Sequence, residues 1–157
     1  MCLIDLIACG CSLVLADALT YTQKHFDGVD TIFDYATLTG ACVTALGSSH
    51  AGIWCNDDTV AATINEAAST TASEKVWRMP WEEYTKELEH PECDIKHMGA
   101  GPGGANSAAA FIERFIEDGV KWSHFDIAGA SGTPGDPLAG NGWGVQTTIA
   151  WIMANRV

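Results

Sequence analysis

The segment Asp30-Thr31-Ile32-Phe33-Asp34-Tyr35-Ala36-Thr37-Leu38 decides the fold class of this chain. It is rich in β-branched and aromatic residues, which is typical of a strand buried in a sheet. Apolar residues recur at the spacing of one helix face over residues 13–24, so a helix precedes this strand, and Gly28 ends the helix. Residues 40–46 continue the strand into a small-residue segment, and residues 52–55 form a second short strand.

The remaining sequence continues this alternation of helices and strands. Its predicted elements are a helix capped by Asn56-Asp57 with Val60, Ile64, Ala67 and Ala68 on its buried face, an extended segment 76–80, a short charged helix 81–88, a helix 107–117, a strand 122–128, a turn-rich loop 133–142 and a final helix marked by Val145, Ile149, Ile152 and Met153. Alternating elements of this length predict one α/β domain in which helices sandwich a mixed, largely buried sheet.

The composition limits the classes of partner and compartment. The chain has 157 residues and a net charge of −12. Nucleic acids and anionic membranes are bound by clusters of basic residues, so this charge argues against both partners. The apolar run over residues 6–16 follows no Lys or Arg and is too short to span a bilayer, so we expect a buried segment there. The six cysteines show no CxxC pair and no regular framework, which favours reduced thiols in an intracellular protein; they are Cys2, Cys9, Cys11, Cys42, Cys55 and Cys93. Cys9-Gly10-Cys11 could hold a soft metal, but the second pair of a zinc ribbon is missing, so this interpretation is not preferred.

Three motifs contain residues that could perform chemistry. The glycine-rich loop 99–104 precedes a helix, but no Gly-Lys-Ser/Thr follows, so a structural turn is the preferred interpretation. The segment 90–97 contains two His, one Glu and one Cys, but Pro91 breaks the helix that would align them, and a solvated loop is favoured. His124 and Asp126 share one face of a strand. They form either an acid/base pair or, as we prefer, part of a buried His–carboxylate arrangement in the sheet.

Several blocks in fixed order give the chain a family resemblance from Leu13 to the C-terminus. They are Leu13-Val14-Leu15-Ala16-Asp17-Ala18-Leu19-Thr20-Tyr21, Asp34-Tyr35-Ala36-Thr37-Leu38-Thr39-Gly40-Ala41, Ala45-Leu46-Gly47, Val76-Trp77-Arg78-Met79-Pro80, Asp94-Ile95-Lys96, Ala108-Ala109-Ala110-Phe111, Trp122-Ser123-His124-Phe125-Asp126-Ile127-Ala128-Gly129 and Gly142-Trp143-Gly144-Val145. Together they resemble the leucyl aminopeptidases, a family of dinuclear metallo-exopeptidases. The resemblance divides the chain into an unmatched segment 1–12 and a fragment of the family's catalytic domain, its C-terminal half, over residues 13–157.

The resemblance implies a chemistry whose residues are missing here. The family removes N-terminal residues from peptides with two zinc or manganese ions, which polarise the carbonyl and supply a hydroxide nucleophile. Its signature Asn-Thr-Asp-Ala-Glu-Gly-Arg directly precedes the leucine that matches Leu13. In this chain Ala8 and Gly10 stand at the positions of a metal-ligand Asp and Glu, and Ser12 stands at that of a catalytic Arg. The other ligands and a catalytic Lys lie further upstream in the family. We therefore expect no metal ligand, no catalytic residue and no cofactor in this chain.

The same resemblance implies that part of the substrate-binding surface is retained. Thr37, Leu38 and Gly40 match residues that line the family's cleft, and Ala128 and Ser131 match its pocket for the N-terminal side chain. An equally weighted alternative is that small residues persist at these positions because the fold needs them at the end of a core strand.

Three functions follow from these expectations. The first is a catalytically inactive protein with a structural role in a homo-oligomer or larger assembly, with intact aminopeptidase subunits as candidate partners, because the family forms hexamers. The second is an active aminopeptidase whose missing residues are supplied by a longer or companion chain. Whether this chain is an enzyme therefore stays open between the two. The third, weaker one is amino-acid or peptide sensing. The family resemblance implies a cytoplasmic location, with the mitochondrion as an alternative.

Overall fold

The computed structural model describes residues 4–5, 10–99, 101–133 and 136–155. Strands and helices alternate along these residues. They are β1 (Ile4–Asp5), α1 (Gly10–His25), β2 (Thr31–Ala36), α2 (Gly40–Leu46), β3 (Ala51–Cys55), α3 (Asp58–Ser69), β4 (Val76–Arg78), a 3-10 helix (Glu82–Leu88), β5 (Ile95–Lys96), α4 (Gly104–Glu113), β6 (Lys121–Asp126), β7 (Gly132–Thr133), β8 (Asp136–Gly140) and α5 (Val145–Ala154). No helix among the described residues is long and apolar enough to cross a membrane.

The chain divides into two compact units. The first unit comprises Met1–Ile32 and Pro80–Trp122. Within it, α4 packs against α1 and against the 3-10 helix, and β1 pairs with β5 in parallel. Its buried apolar side chains include Leu19, Leu88 and Phe111.

The second unit comprises Phe33–Met79 and Ser123–Val157, and it contains most of a four-stranded sheet. The strand order is β2-β6-β3-β4; β3 is antiparallel to β6 and parallel to β4. Every residue of β3 is buried, so both faces of that strand are covered, because side chains alternate between the faces of a sheet. The predicted α/β class with a mixed, largely buried sheet is confirmed.

Helix α3 forms much of the core of the second unit. The side chain of Asp57 accepts the N–H of Val60 and caps the helix, as the sequence predicts. The predicted buried face is also confirmed, and α3 packs against α5 and β3. One contact of the α3–α5 pair is a hydrogen bond of 2.8 Å from Trp151 Nε1 to Thr63 Oγ1.

The predictions for residues 40–46, 107–117 and 133–142 need correction. Residues 40–46 form helix α2 and do not extend the strand, because Thr39 is extended and its side chain accepts the N–H of Cys42 as an N-cap. The helix predicted over 107–117 begins earlier, at Gly104, and ends at Glu113. The predicted loop 133–142 contains β8, which pairs with β7 in an antiparallel arrangement; residues 134–135 lie outside the described part of the chain.

The glycine-rich loop before α4 has a packing role. Gly103 is the N-cap of α4 and has a φ of 87° in the left-handed region. A Cβ there would lie 2.3 Å from a carbon of the Tyr84 ring. Glycine is therefore required for both the backbone conformation and the close contact.

Candidate functional site

The carboxylate of Asp126, at the end of β6, joins two segments of the second unit. It accepts the backbone N–H groups of Leu38 at 3.1 Å, of Thr39 at 3.0 Å and of Ala128 at 3.1 Å. The Thr39 hydroxyl donates a fourth hydrogen bond at 2.7 Å. The Asp126 side chain is almost fully buried, with 1% of the residue exposed. A carboxylate has about four acceptor positions, so these donors fill its capacity.

The Thr39 side chain belongs to this site and also begins α2. Its hydroxyl donates to Asp126, and its oxygen accepts the N–H of Cys42 at 3.0 Å. Burial, helped by the nearby Asp126 charge and opposed by a backbone hydrogen bond, raises the pKa of the Cys42 thiol to about 11. Because thiolates are the nucleophilic and metal-binding form of cysteine, Cys42 is a structural residue at neutral pH.

The five residues predicted to bind substrate lie in the two segments that Asp126 joins, one after β2 and one after β6. Leu38 and Ala128 are half-buried, and their N–H groups meet at the same Asp126 oxygen. Thr37 and Gly40 are exposed on either side of this contact. Ser131 is half-buried and donates its N–H to Ile127 O at 2.9 Å. The structure thus brings Leu38 and Ala128 together, and substrate binding by the five residues stays a prediction.

A close backbone contact supports a folding role for the small residues in this region. A Cβ on Gly129 would lie only 2.0 Å from the carbonyl oxygen of Gly47 at the end of α2. The backbone of residue 129 fixes the position of this Cβ, and its neighbour is a backbone oxygen, so neither can move away as the end of a flexible side chain would. Glycine is therefore needed at position 129, next to Ala128, whereas the alternative explanation for Thr37 to Gly40 stays a prediction.

His124 pairs with a carboxylate, but the partner is Asp34. Their side chains are hydrogen-bonded and buried, with 1% of the His124 side chain and 5% of the Asp34 side chain exposed. The preferred prediction of a buried His–carboxylate arrangement is confirmed. Asp126 is not the partner because its oxygens accept bonds from the residues after β2 and after β6.

The described residues contain no group of three His, Cys, Asp or Glu side chains placed to hold a metal ion. Gly10 is exposed at the start of α1, and Ser12 is buried in the same helix; Ala8 lies outside the described residues. Glycine offers no side-chain donor, and serine carries no charge. The residues at these two positions therefore do not fit the metal-binding and cationic roles that the resemblance assigns to them.

The segment 90–97 is not uniformly solvated. His97 is 4% exposed, and its ring lies edge-on to Phe111 at 6.3 Å between ring centroids. The prediction of a solvated loop is therefore wrong for His97. Among the described cysteines, Cys11, Cys42, Cys55 and Cys93 are in no disulfide; Cys2 and Cys9 lie outside that part of the chain.

A second buried carboxylate, missed by the sequence reasoning, fixes α5. Glu74 is 3% exposed and accepts the N–H groups of Gln146 at 3.2 Å and of Thr147 at 2.7 Å. The N-cap residue Gly144 has no side chain to supply this acceptor. No local signal in the sequence could have paired Glu74 with a helix that starts about seventy residues later.

Comparison with known proteins identifies the family. Residues 9–149 match the model of the cytosol aminopeptidase family, catalytic domain. A probable cytosol aminopeptidase of Chlorobium limicola is 46% identical over 140 residues, which cover 87% of this chain and 27% of the relative. One of Trichodesmium erythraeum is 46% identical over 147 residues, covering 90% of this chain and 29% of the relative. This chain belongs to the cytosol aminopeptidase family, whose members are metallo-aminopeptidases.

The fold comparison agrees with the sequence comparison. A mutant of tomato leucine aminopeptidase superposes with a TM-score of 0.84 at 39% identity, over 92% of this chain and 28% of the tomato chain. The chain thus spans less than a third of the length of the relatives that it matches.

Proposed function

We propose that this chain is a cytosol aminopeptidase relative that does not cleave peptides alone and acts by associating with other protein. The observation that carries the proposal is the identity of two residues inside the matched stretch 9–149. Gly10 and Ser12 occupy the positions that the resemblance assigns to a metal-ligand Glu and a catalytic Arg. Both substitutions remove the side-chain group on which the role depends.

The chemistry of the reaction explains why these substitutions matter. Two metal ions would polarise the scissile carbonyl and generate the attacking hydroxide, and carboxylates must hold the two positive charges close together. A glycine supplies no side-chain carboxylate to ligate a metal, and a serine supplies no positive charge for the developing oxyanion. The described residues of this chain therefore support the inactive alternative over the active one.

The apolar surface of α5 supports the association part of the proposal. Val145, Ile149, Ile152 and Met153 are 44–67% exposed on one short helix. None of the ten residues of α5 is charged, although the chain as a whole carries a net charge of −12. Apolar side chains clustered on a surface favour association. The proposed partner is a second copy of the chain or a larger assembly that contains intact aminopeptidase subunits.

Turnover of leucine p-nitroanilide in the presence of Mn²⁺ tests the inactivity. The purified chain is expected to release no more p-nitroaniline than buffer, whether Mn²⁺ or a chelator is added. Metal-dependent release that co-elutes with the chain through two different columns would overturn the proposal. Size-exclusion chromatography with light scattering tests the association, and a stable, monodisperse monomer would contradict it.

The second candidate is that this chain is part of an active metallo-aminopeptidase. It is favoured by the four hydrogen bonds that Asp126 accepts around Leu38 and Ala128, since these hold two segments of the predicted substrate-binding surface in place. The nucleotide sequence directly upstream of the Met1 codon distinguishes the candidates. A coding Asp-x-Glu-x-Arg motif there would favour the active enzyme, and its absence would favour the inactive relative.

A further inference from the structure

We propose that Asp126 is the positioning residue of the predicted substrate-binding surface, so that the segments 37–40 and 128–131 move as one element. Each segment donates to the same carboxylate, Leu38 and Thr39 from one side and Ala128 from the other. The inference concerns the site of the proposed function but requires neither turnover nor association.

The geometry makes the coupling specific to this carboxylate. Leu38 N–H and Ala128 N–H share Oδ1, and both groups of Thr39 share Oδ2. The carboxylate is buried, so in the intact structure its acceptor positions are filled by these donors and not by bulk water. When an N–H moves away from Asp126, an oxygen of the buried, charged carboxylate loses a hydrogen bond, and this raises the free energy of the folded state. Displacement of one segment therefore weakens the attachment of the other.

Thr39 gives a test that does not require replacing Asp126. Thr39 makes no hydrogen bond to Ala128, and the two residues are connected through Asp126. Thr39→Val removes the hydroxyl that donates to Asp126 at 2.7 Å, whereas Thr39→Ser keeps it. Thr44→Val is the matched control, because the Thr44 hydroxyl bonds only Gly40 O on the exposed side of α2.

The experiment measures amide hydrogen exchange by NMR at Leu38, at Ala128 and at Ile64 in α3 as an internal reference. With Thr39→Val, exchange at both Leu38 and Ala128 is expected to rise by about tenfold or more relative to Ile64, as loss of a hydrogen bond to a charged group implies. Thr39→Ser is expected to restore the slow exchange.

A role for Thr39 that is confined to capping α2 gives a different pattern. In that case Thr39→Val accelerates amide exchange at Cys42 but leaves exchange at Ala128 unchanged. Exchange at Ala128 would then be the same in Thr39→Val as in the control Thr44→Val, and the proposal would be overturned. Asp126→Asn provides an independent arm, because the amide replaces one acceptor oxygen with a donor. If this variant folds, exchange at Leu38 and Ala128 must both rise; if it does not fold, the Thr39 series decides the question.

Discussion

The variant Glu74→Gln tests how α5 is attached to the second unit. Both oxygens of the buried Glu74 carboxylate accept N–H groups from the first turn of α5, at 3.2 Å from Gln146 and 2.7 Å from Thr147. The negative charge also lies at the positive end of the helix dipole. In the variant, an NH₂ group replaces one of the two oxygens, and this group cannot accept the hydrogen bond made at that position.

The expected loss of stability follows from these contacts. A hydrogen bond to a charged group contributes about 1.5–3 kcal/mol, and an anion at a helix N-terminus contributes about 0.3–1 kcal/mol. Because the glutamine can still accept one of the two bonds, we expect the free energy of unfolding to fall by about 2 kcal/mol. For a chain of this size that corresponds to a fall in Tm of about 4–8 °C.

Urea unfolding followed by tryptophan fluorescence measures this loss. Glu66→Gln is the matched control, since it removes the same charge from an exposed residue of α3. The control is expected to change the free energy of unfolding by less than about 0.5 kcal/mol, as is usual for surface substitutions. Equal unfolding midpoints for the two variants would refute the capping role of Glu74.

Three further predictions concern a thiol, a carboxyl group and a glycine. Because Cys42 is buried and its pKa is raised to about 11, iodoacetamide at pH 8 should label Cys11 well before Cys42, as peptide mass spectrometry would show. Burial raises the pKa of Glu113 above the ordinary 4.5, so the ionised form disfavours folding. Glu113→Gln should therefore increase stability at pH 7, with a gain that declines as pH falls through the raised pKa and vanishes below 4.5; urea unfolding at several pH values measures it. Gly129→Ala should cost about 1–3 kcal/mol because its Cβ would meet a backbone carbonyl, whereas Gly132→Ala, with open space around it, should cost less.

The sequence predicts those elements whose signals are local. The apolar spacing before Gly28, the β-branched run of β2 and the capped, one-faced pattern of α3 each lie within a few residues, and each element is present in the structure. Helix α2 is missed because its composition of small residues resembles an extension of the strand, and its start depends on Thr39. The Thr39 side chain is held in turn by Asp126, which is 87 residues away in the chain.

The candidate site likewise combines residues that the sequence identifies with residues whose role depends on distant partners. Family resemblance selects Leu38 and Ala128, and the structure brings them together. Asp126 and Glu74, which hold the site and helix α5, accept N–H groups from residues far away in sequence, apart from the bond between Asp126 and Ala128. A single acidic residue in the sequence does not indicate which distant N–H groups its carboxylate accepts. The burial of His97 is missed for the same reason, since its ring contacts Phe111 of α4, which the local pattern around His97 does not reveal.

The number of Mn²⁺ ions retained per chain after equilibrium dialysis tests most directly whether this family member has lost its metal site. Mn²⁺ is the suitable probe because it prefers oxygen ligands, whereas zinc would also bind exposed cysteine and histidine side chains. With Gly10 and Ser12 at the signature positions, we expect no Mn²⁺ to be retained at micromolar free metal. Retention of two Mn²⁺ ions per chain would contradict the proposed loss of the catalytic centre.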